Sequence, residues 1–170
     1  MKTVGTGTHT LSAAYVGDAN NVARSLAIGC GLVGAAFRIS SPPGYRFDDT
    51  SIDRIRAAGT DLTVVDDPTE AASGADAIYT DAWYSMGQEE EKRIRQEAFA
   101  RWRVDESLMD AAGDGAVFLH CLPAHRGDEA ADDVLDGPRS RIWPQAGNRL
   151  HSARGLLAWL MADEQLSGGR

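Results

Sequence analysis

The residues best suited to chemistry in this chain stand in three short polar runs. His120-Cys121-Leu122-Pro123-Ala124-His125-Arg126 groups a thiol, two imidazoles and a guanidinium. A cysteine there is either inert core packing or a polarised thiol in a site, and residue type alone leaves both open. Asp81-Ala82-Trp83-Tyr84-Ser85-Met86-Gly87 carries one acid, two aromatics and a hydroxyl. A lone aspartate in such a run serves equally well as a turn former. Gly17-Asp18-Ala19-Asn20-Asn21 supplies two amides. Asn20 is suited to capping a helix, which leaves Asn21 free to offer a donor and an acceptor to a zwitterionic ligand. A fourth run, Gly29-Cys30-Gly31-Leu32-Val33-Gly34, fits the GxGxxG pattern of dinucleotide sites. That chemistry requires a strand before the glycines and a helix N-terminus after them, facing the pyrophosphate. Here the run ends a helical pattern and precedes a strand, so it reads as a glycine-rich helix end packed against a sheet.

Alternating elements must position these runs. Residues 11–16 read as a strand, followed by a helix from Asn21 with Val22, Leu26, Cys30 and Val33 along one stripe. Residues 35–40 form the next strand, closed by Ser41-Pro42-Pro43-Gly44. A short helix near 50–58, a strand at 61–65 and a short helix with Pro68 in its first turn lead to a strand at 76–80. Glu89-Glu90-Glu91 opens a helix with acids first and bases later, as the helix dipole favours, and with Ile94, Ala98 and Trp102 on one face. A fifth strand at 116–120, a short helix near 129–136, an extended piece at Ser140–Pro144 and a helix from about Asn148 complete the chain. In that last helix Leu150, Ala153, Leu157 and Leu160 fall three and four apart. The alternation predicts an α/β fold: three layers, αβα, around a mostly parallel, Rossmann-like five-stranded sheet. Ligands of such sheets bind beyond the carboxyl ends of the strands, the side on which all three polar runs emerge.

Charge and composition narrow the classes. Seventeen Lys and Arg against 25 Asp and Glu give a net charge of −8, the wrong sign for tracking nucleic-acid phosphates. No apolar run is long enough to span a membrane, and the first ten residues lack a signal-peptide core. The two cysteines, Cys30 and Cys121, form no disulfide framework, and no Cys/His spacing reads as a metal site. Cytoplasm is the expected compartment.

Four segments together closely resemble ornithine carbamoyltransferase: AYVGDANNVA, YTDAWYSMGQEEE, HCLPAHRGDE and DGPRSRIWPQAGNRLHSARGLLAWL, in the family's order and spacing. The likeness runs from about Ala13 to Leu160. Aspartate-specific relatives lack loops of the HCLP and SMG type, so the resemblance favours ornithine. It covers the family's second half alone. It therefore implies a lead-in at residues 1–12, an ornithine-binding domain over 13–170, and a carbamoyl-phosphate-binding domain that is absent from this chain and is separately encoded or lost. By resemblance, Asn21, Asp81, Ser85 and Met86 hold ornithine, while Cys121 and Leu122 lie beside the carbamoyl group and the δ-amine. Arg149 matches an arginine that helps bind carbamoyl phosphate, and Cys121 and Asp81 are the expected catalytic pair. The resemblance implies no cofactor or metal, and a homo-oligomer, the family's trimer. The competing expectation is a stand-alone amino-acid-binding module or a non-functional remnant.

Overall fold

The structure, a computed structural model, describes residues 10–84 and 91–167, with side chains to residue 162. Five strands form one sheet: β1 (Ser12–Val16), β2 (Ala36–Ser40), β3 (Leu62–Val65), β4 (Ala77–Thr80) and β5 (Val117–His120). Their order is β3-β2-β1-β4-β5 and every pairing is parallel. The helices are α1 (Asn21–Val33), α2 (Asp49–Ala57), α3 (Pro68–Ala72), α4 (Lys92–Phe99), α5 (Glu106–Ala112), α6 (Asp132–Leu135) and α7 (Ile142–Ser167).

Strand side chains alternate between two cores, as a period of two requires. Ala14, Val16, Ile78 and Phe118 face one core, with Phe99, Leu108, Met109 and Leu135 from the helices on that side. Tyr15, Phe37, Ile39 and Tyr79 face the other, with Ala23, Ala27, Cys30 and Ile55 from α1 and α2. Burying a side chain such as Phe118 contributes about 2–3 kcal/mol, so the two apolar layers hold the three-layer arrangement together. The chain winds outward from β1 to β3, then returns to β4 on the other side of β1. Order reverses at β1/β4, and the loops leaving those two strands part there, opening a crevice.

Four local expectations change. In α1 the innermost residues are Ala23, Ala27 and Cys30, whereas Val33 is 79% exposed. The helix rolls towards its small residues because they allow close approach; Gly31 lies so near the α2–β3 turn that a Cβ would meet Thr60 Oγ1 at 2.4 Å. In α4, Ile94 is exposed, while Phe99 and Trp102 are buried, because the chain tightens to a 3-10 turn at Ala100–Trp102 and shifts the phase. Helix α5 was not anticipated by the apolar pattern, although Asp105 caps it through Leu108 N–H and Gly113 follows it at φ 106°. The last helix begins at Ile142, ahead of the expected Asn148. Residues 139–141 run extended beside Phe118, and Pro144 is tolerated in the first turn, where its missing N–H has no helical partner to lose. Ile142 is buried, but Leu150, Leu157 and Leu160 are exposed on the outer part of α7. Among the described residues no helix is long and apolar enough to cross a membrane.

Candidate active site at the carboxyl edge of the sheet

The crevice is built from three strand ends. After β1, Gly17–Asn20 turns the chain into α1. Asn20 Oδ1 accepts the N–H groups of Val22 and Ala23 at 2.9 and 3.1 Å, a cap worth about 1 kcal/mol. The same side chain turns its Nδ2 outward and donates to Asp81 Oδ2 at 3.0 Å. Asp81 follows β4 directly. Its Oδ1 accepts from its neighbour Ala82 N–H at 2.8 Å and from the Cys121 thiol at 2.8 Å. Cys121 in turn follows β5. Residues 61 and 40 positions apart thus converge on one carboxylate.

The cavity around this carboxylate has a volume of about 490 Å³. Asn20, Asn21, Tyr79, Asp81, Cys121, Leu122, Gln145 and Arg149 line it. Five of the seven residues singled out from the sequence therefore share one crevice: Asn21 at the first position of α1, Asp81, Cys121, Leu122, and Arg149 two turns into α7. Ser85 and Met86 lie outside the described residues. Arg126 of the same loop is tied instead to Asp132 and Asp136 at 3.0 and 2.6 Å, away from the crevice. The glycines 29–34 sit at the amino edge, at the opposite end of α1.

Burial pushes the Cys121 thiol up to about 12, and the hydrogen bond to Asp81 and the Asp81 charge add to the rise. At neutral pH Cys121 is a thiol, and a hydrogen-bond donor to Asp81. Burial also raises the Tyr79 hydroxyl, with the neighbouring Cys121 contributing. Tyr15, stacked on Tyr79 at 5.8 Å, is raised by burial and by the charges of Asp81, Cys121 and Asp18. Desolvation lifts Asp18 above the usual carboxylate range, although Arg95 Nη1 donates to it at 2.8 Å. That guanidinium also donates to the Trp83 carbonyl at 2.8 Å and ties the β1 turn to the loop after β4.

Beneath the Cys121 loop sits a buried pair that residue types did not reveal. His120 and Glu129 are both fully buried, with Nε2 3.3 Å from Oε1. His120 Nδ1 accepts from Leu122 N–H at 2.9 Å, and Glu129 accepts from the backbone of His125. These bonds hold Leu122 at φ 60°, a conformation L residues avoid unless the surroundings impose it. Tyr79 and Gln145 were also missed, since neither belongs to a polar run.

The fold and the crevice define a three-layer α/β ligand-binding domain with a carboxylate–thiol pair at its topological switch point. Residues 9–160 match the model of the aspartate/ornithine carbamoyltransferase family, Asp/Orn binding domain, and the chain belongs to that family. It is 47% identical over 154 residues to an ornithine carbamoyltransferase of Methanoculleus marisnigri, covering 91% of this chain and 50% of that protein. The ornithine carbamoyltransferase from Pyrococcus furiosus superposes with a TM-score of 0.81 at 42% identity, over 88% of this chain and 49% of that one. The anabolic ornithine carbamoyltransferase from Campylobacter jejuni gives 0.82 at 30% identity, over 91% and 52%. The chain spans about half the length of the relatives it matches.

Proposed function

We propose that this chain is the ornithine-binding half of an ornithine carbamoyltransferase, and that it turns over only when joined by a carbamoyl-phosphate-binding half. The observation that carries this reading is Asp81, held between Asn20 and Cys121 in the crevice. A carboxylate that keeps a face open to such a cavity suits an ammonium group through charge-assisted hydrogen bonds. Its Oδ2, on the Asn20 side, takes the α-ammonium, and Asn21 and the loop carrying Ser85 and Met86 take the α-carboxylate. Cys121, on the Oδ1 side, together with Leu122, borders the δ-amine.

In the reaction the δ-nitrogen attacks the carbamoyl carbon of carbamoyl phosphate. A C–N bond forms, the C–O bond to phosphate breaks, and citrulline, phosphate and one proton are released. The nucleophile must be the neutral amine, whereas a free alkyl ammonium titrates near about 10.4. Partial burial beside Cys121 disfavours the ammonium, and the Arg149 guanidinium across the cavity does the same. Because Cys121 is protonated, it orients the amine as a neutral partner in a hydrogen-bonded pair with Asp81. Arg149 on α7 supplies the phosphate side with a fixed cation. The donors for the tetrahedral oxyanion belong to the other half. The exposed apolar residues of α7 suit a surface covered by that half, within a trimer. The protein then acts in the cytoplasm, in a citrulline-forming step of arginine synthesis or of the urea-cycle type.

A citrulline assay tests the proposal. The purified chain alone is expected to give no turnover, and mixing it with a separately produced carbamoyl-phosphate-binding half is expected to restore it. Turnover of tens per second by the chain alone, the ordinary enzyme range, would contradict the need for a second half.

A further inference from the structure

Beyond the strand ends, the loops after β4 and β5 meet a second time, on Tyr84. Its side chain is 8% exposed, and its ring stacks on the His125 imidazole with centroids 4.3 Å apart and planes 22° from parallel. Its hydroxyl donates to Asp128 Oδ2 at 2.8 Å. The other oxygen of that carboxylate, Oδ1, accepts from Gln96 Nε2 of α4, also at 2.8 Å. Lys92, the first residue of the same helix, lies over the Tyr84 ring at 5.1 Å. The segment that receives Tyr84 is itself pinned. Asp128 N–H donates to the His125 carbonyl and Gly127 N–H to that of Ala130, each at 3.0 Å. His125 N–H donates to the buried Glu129. Val104 N–H donates to the Glu129 carbonyl and the Val104 carbonyl accepts from Ala131 N–H, both at 2.9 Å. The two loops are thus joined twice: at the strand ends by the Cys121 thiol on Asp81, and further out by Tyr84 on His125 and Asp128.

We infer that Tyr84 and Asp128 are positioning residues that set the length of amino acid the crevice accepts. The inference rests on the function proposed above, in which the loop after β4 takes the α-ammonium and α-carboxylate while Cys121 and Leu122, after β5, border the terminal amine. A diamino acid then spans the two loops, and their separation is its ruler. The Cys121–Asp81 bond fixes that separation only where the loops leave the sheet. Further out, the stack of Tyr84 on His125 sets how closely the loops approach, since rings in contact cannot interpenetrate. The hydroxyl bond sets how far they part, because a hydrogen bond to a carboxylate is short, directional and stronger than a neutral one. Asp128 is a fixed post for that bond, since Gln96 holds its other oxygen from α4. Ornithine and lysine carry the same α-groups and the same terminal amine and differ by one methylene. Charge does not tell them apart, whereas spacing does, and a pocket discriminates by about 10–200-fold per methylene.

The test is the ratio of affinities for L-ornithine and L-lysine, measured by NMR titration of the full chain and its variants. The parent is expected to favour ornithine about tenfold or more. Tyr84→Phe keeps the ring and its stack on His125 and removes the hydroxyl, whereas Asp128→Ala removes the acceptor. Each is expected to narrow the ratio about threefold. The double variant should narrow it no further than either alone, because both changes remove one bond. A general loss of folded protein lowers both affinities by one factor and leaves the ratio in place, so the ratio separates positioning from stability. A parent ratio retained in both Tyr84→Phe and Asp128→Ala would overturn the inference while leaving Asp81 as the ammonium site. A parent that binds the two amino acids equally would do the same. A parent that binds neither would overturn the function proposed above, and the inference with it.

Discussion

The two ends of helix α1 look alike as sequence and behave differently as structure. GDANN at its start and GCGLVG at its end are both short, glycine-containing runs of a kind that binds ligands. At the start, Asn20 caps the helix and also reaches across 61 residues to Asp81, so one side chain serves fold and crevice together. At the end, the glycines serve packing: Gly31 lies against Ala58 and Thr60, and Gly34 closes the helix at φ 73°. The difference follows from direction in a parallel sheet. Helix starts lie at the carboxyl edge, where loops part at the switch point, and helix ends lie at the amino edge, where nothing parts. A motif takes its meaning from the edge on which it falls.

The cysteines give the largest expected contrast, since one sits at each edge. Burial alone lifts Cys30, whereas Cys121 is lifted to about 12 by burial and by Asp81. At about pH 9 both should react with iodoacetamide at least tenfold more slowly in the native chain than in the urea-unfolded chain. Asp81→Asn should accelerate Cys121 and leave Cys30 unchanged. The stability contribution has a definite sign. The folded pKa of Cys121 lies above its ordinary 9.0, so the stabilisation is complete below about pH 9 and is lost as pH rises towards about 12. Urea titrations across that window should show falling stability. Equal acceleration of both thiols by Asp81→Asn would break the contrast.

Gly31→Ala tests the packing edge. Its Cβ would meet Thr60 Oγ1 at 2.4 Å, Thr60 N at 2.7 Å and the Ala58 carbonyl at 2.8 Å, and backbone cannot yield as a flexible side chain does. A loss of about 1–3 kcal/mol is expected, read as a lower urea midpoint, with ligand affinity of the folded chain unchanged. A variant as stable as the parent would mean that the glycine is not there for packing.

Much of this was legible in the sequence because it is local. Asn20 before the periodic run, Pro68 in a first turn and the alternation of strands with helices mark elements within a few residues of themselves. The polar runs marked the right edge of the sheet because strand ends dictate where loops go. What escaped notice depends on distance along the chain. The Asn20–Asp81 bond over 61 residues and the Gln145–Tyr79 bond over 66 join residues whose own neighbourhoods carry no sign of the partner. Tyr79 sits in an apolar strand and reads as core, which it also is. Helix α5 is only seven residues long and, unlike α3 with Pro68 in its first turn, carries no proline to mark its start, so Asp105 and Gly113 at its two ends went unread.

In the proposed function the carboxyl-edge crevice takes the ammonium of an amino acid through Asp81. Calorimetric titration of L-ornithine into the parent chain, Asp81→Asn and Cys121→Ser tests it most directly. The parent is expected to bind weakly, at about millimolar, or about −4 kcal/mol. Asp81→Asn keeps the shape and loses the charge, and is expected to weaken binding about tenfold, the lower part of the range for a charged hydrogen bond. Cys121→Ser is expected to change affinity less than about twofold, because in the proposed reaction the thiol acts on the amine at the chemical step and contributes little to the ground state. An Asp81→Asn chain that binds ornithine as well as the parent would contradict the claim and remove Asp81 from the site.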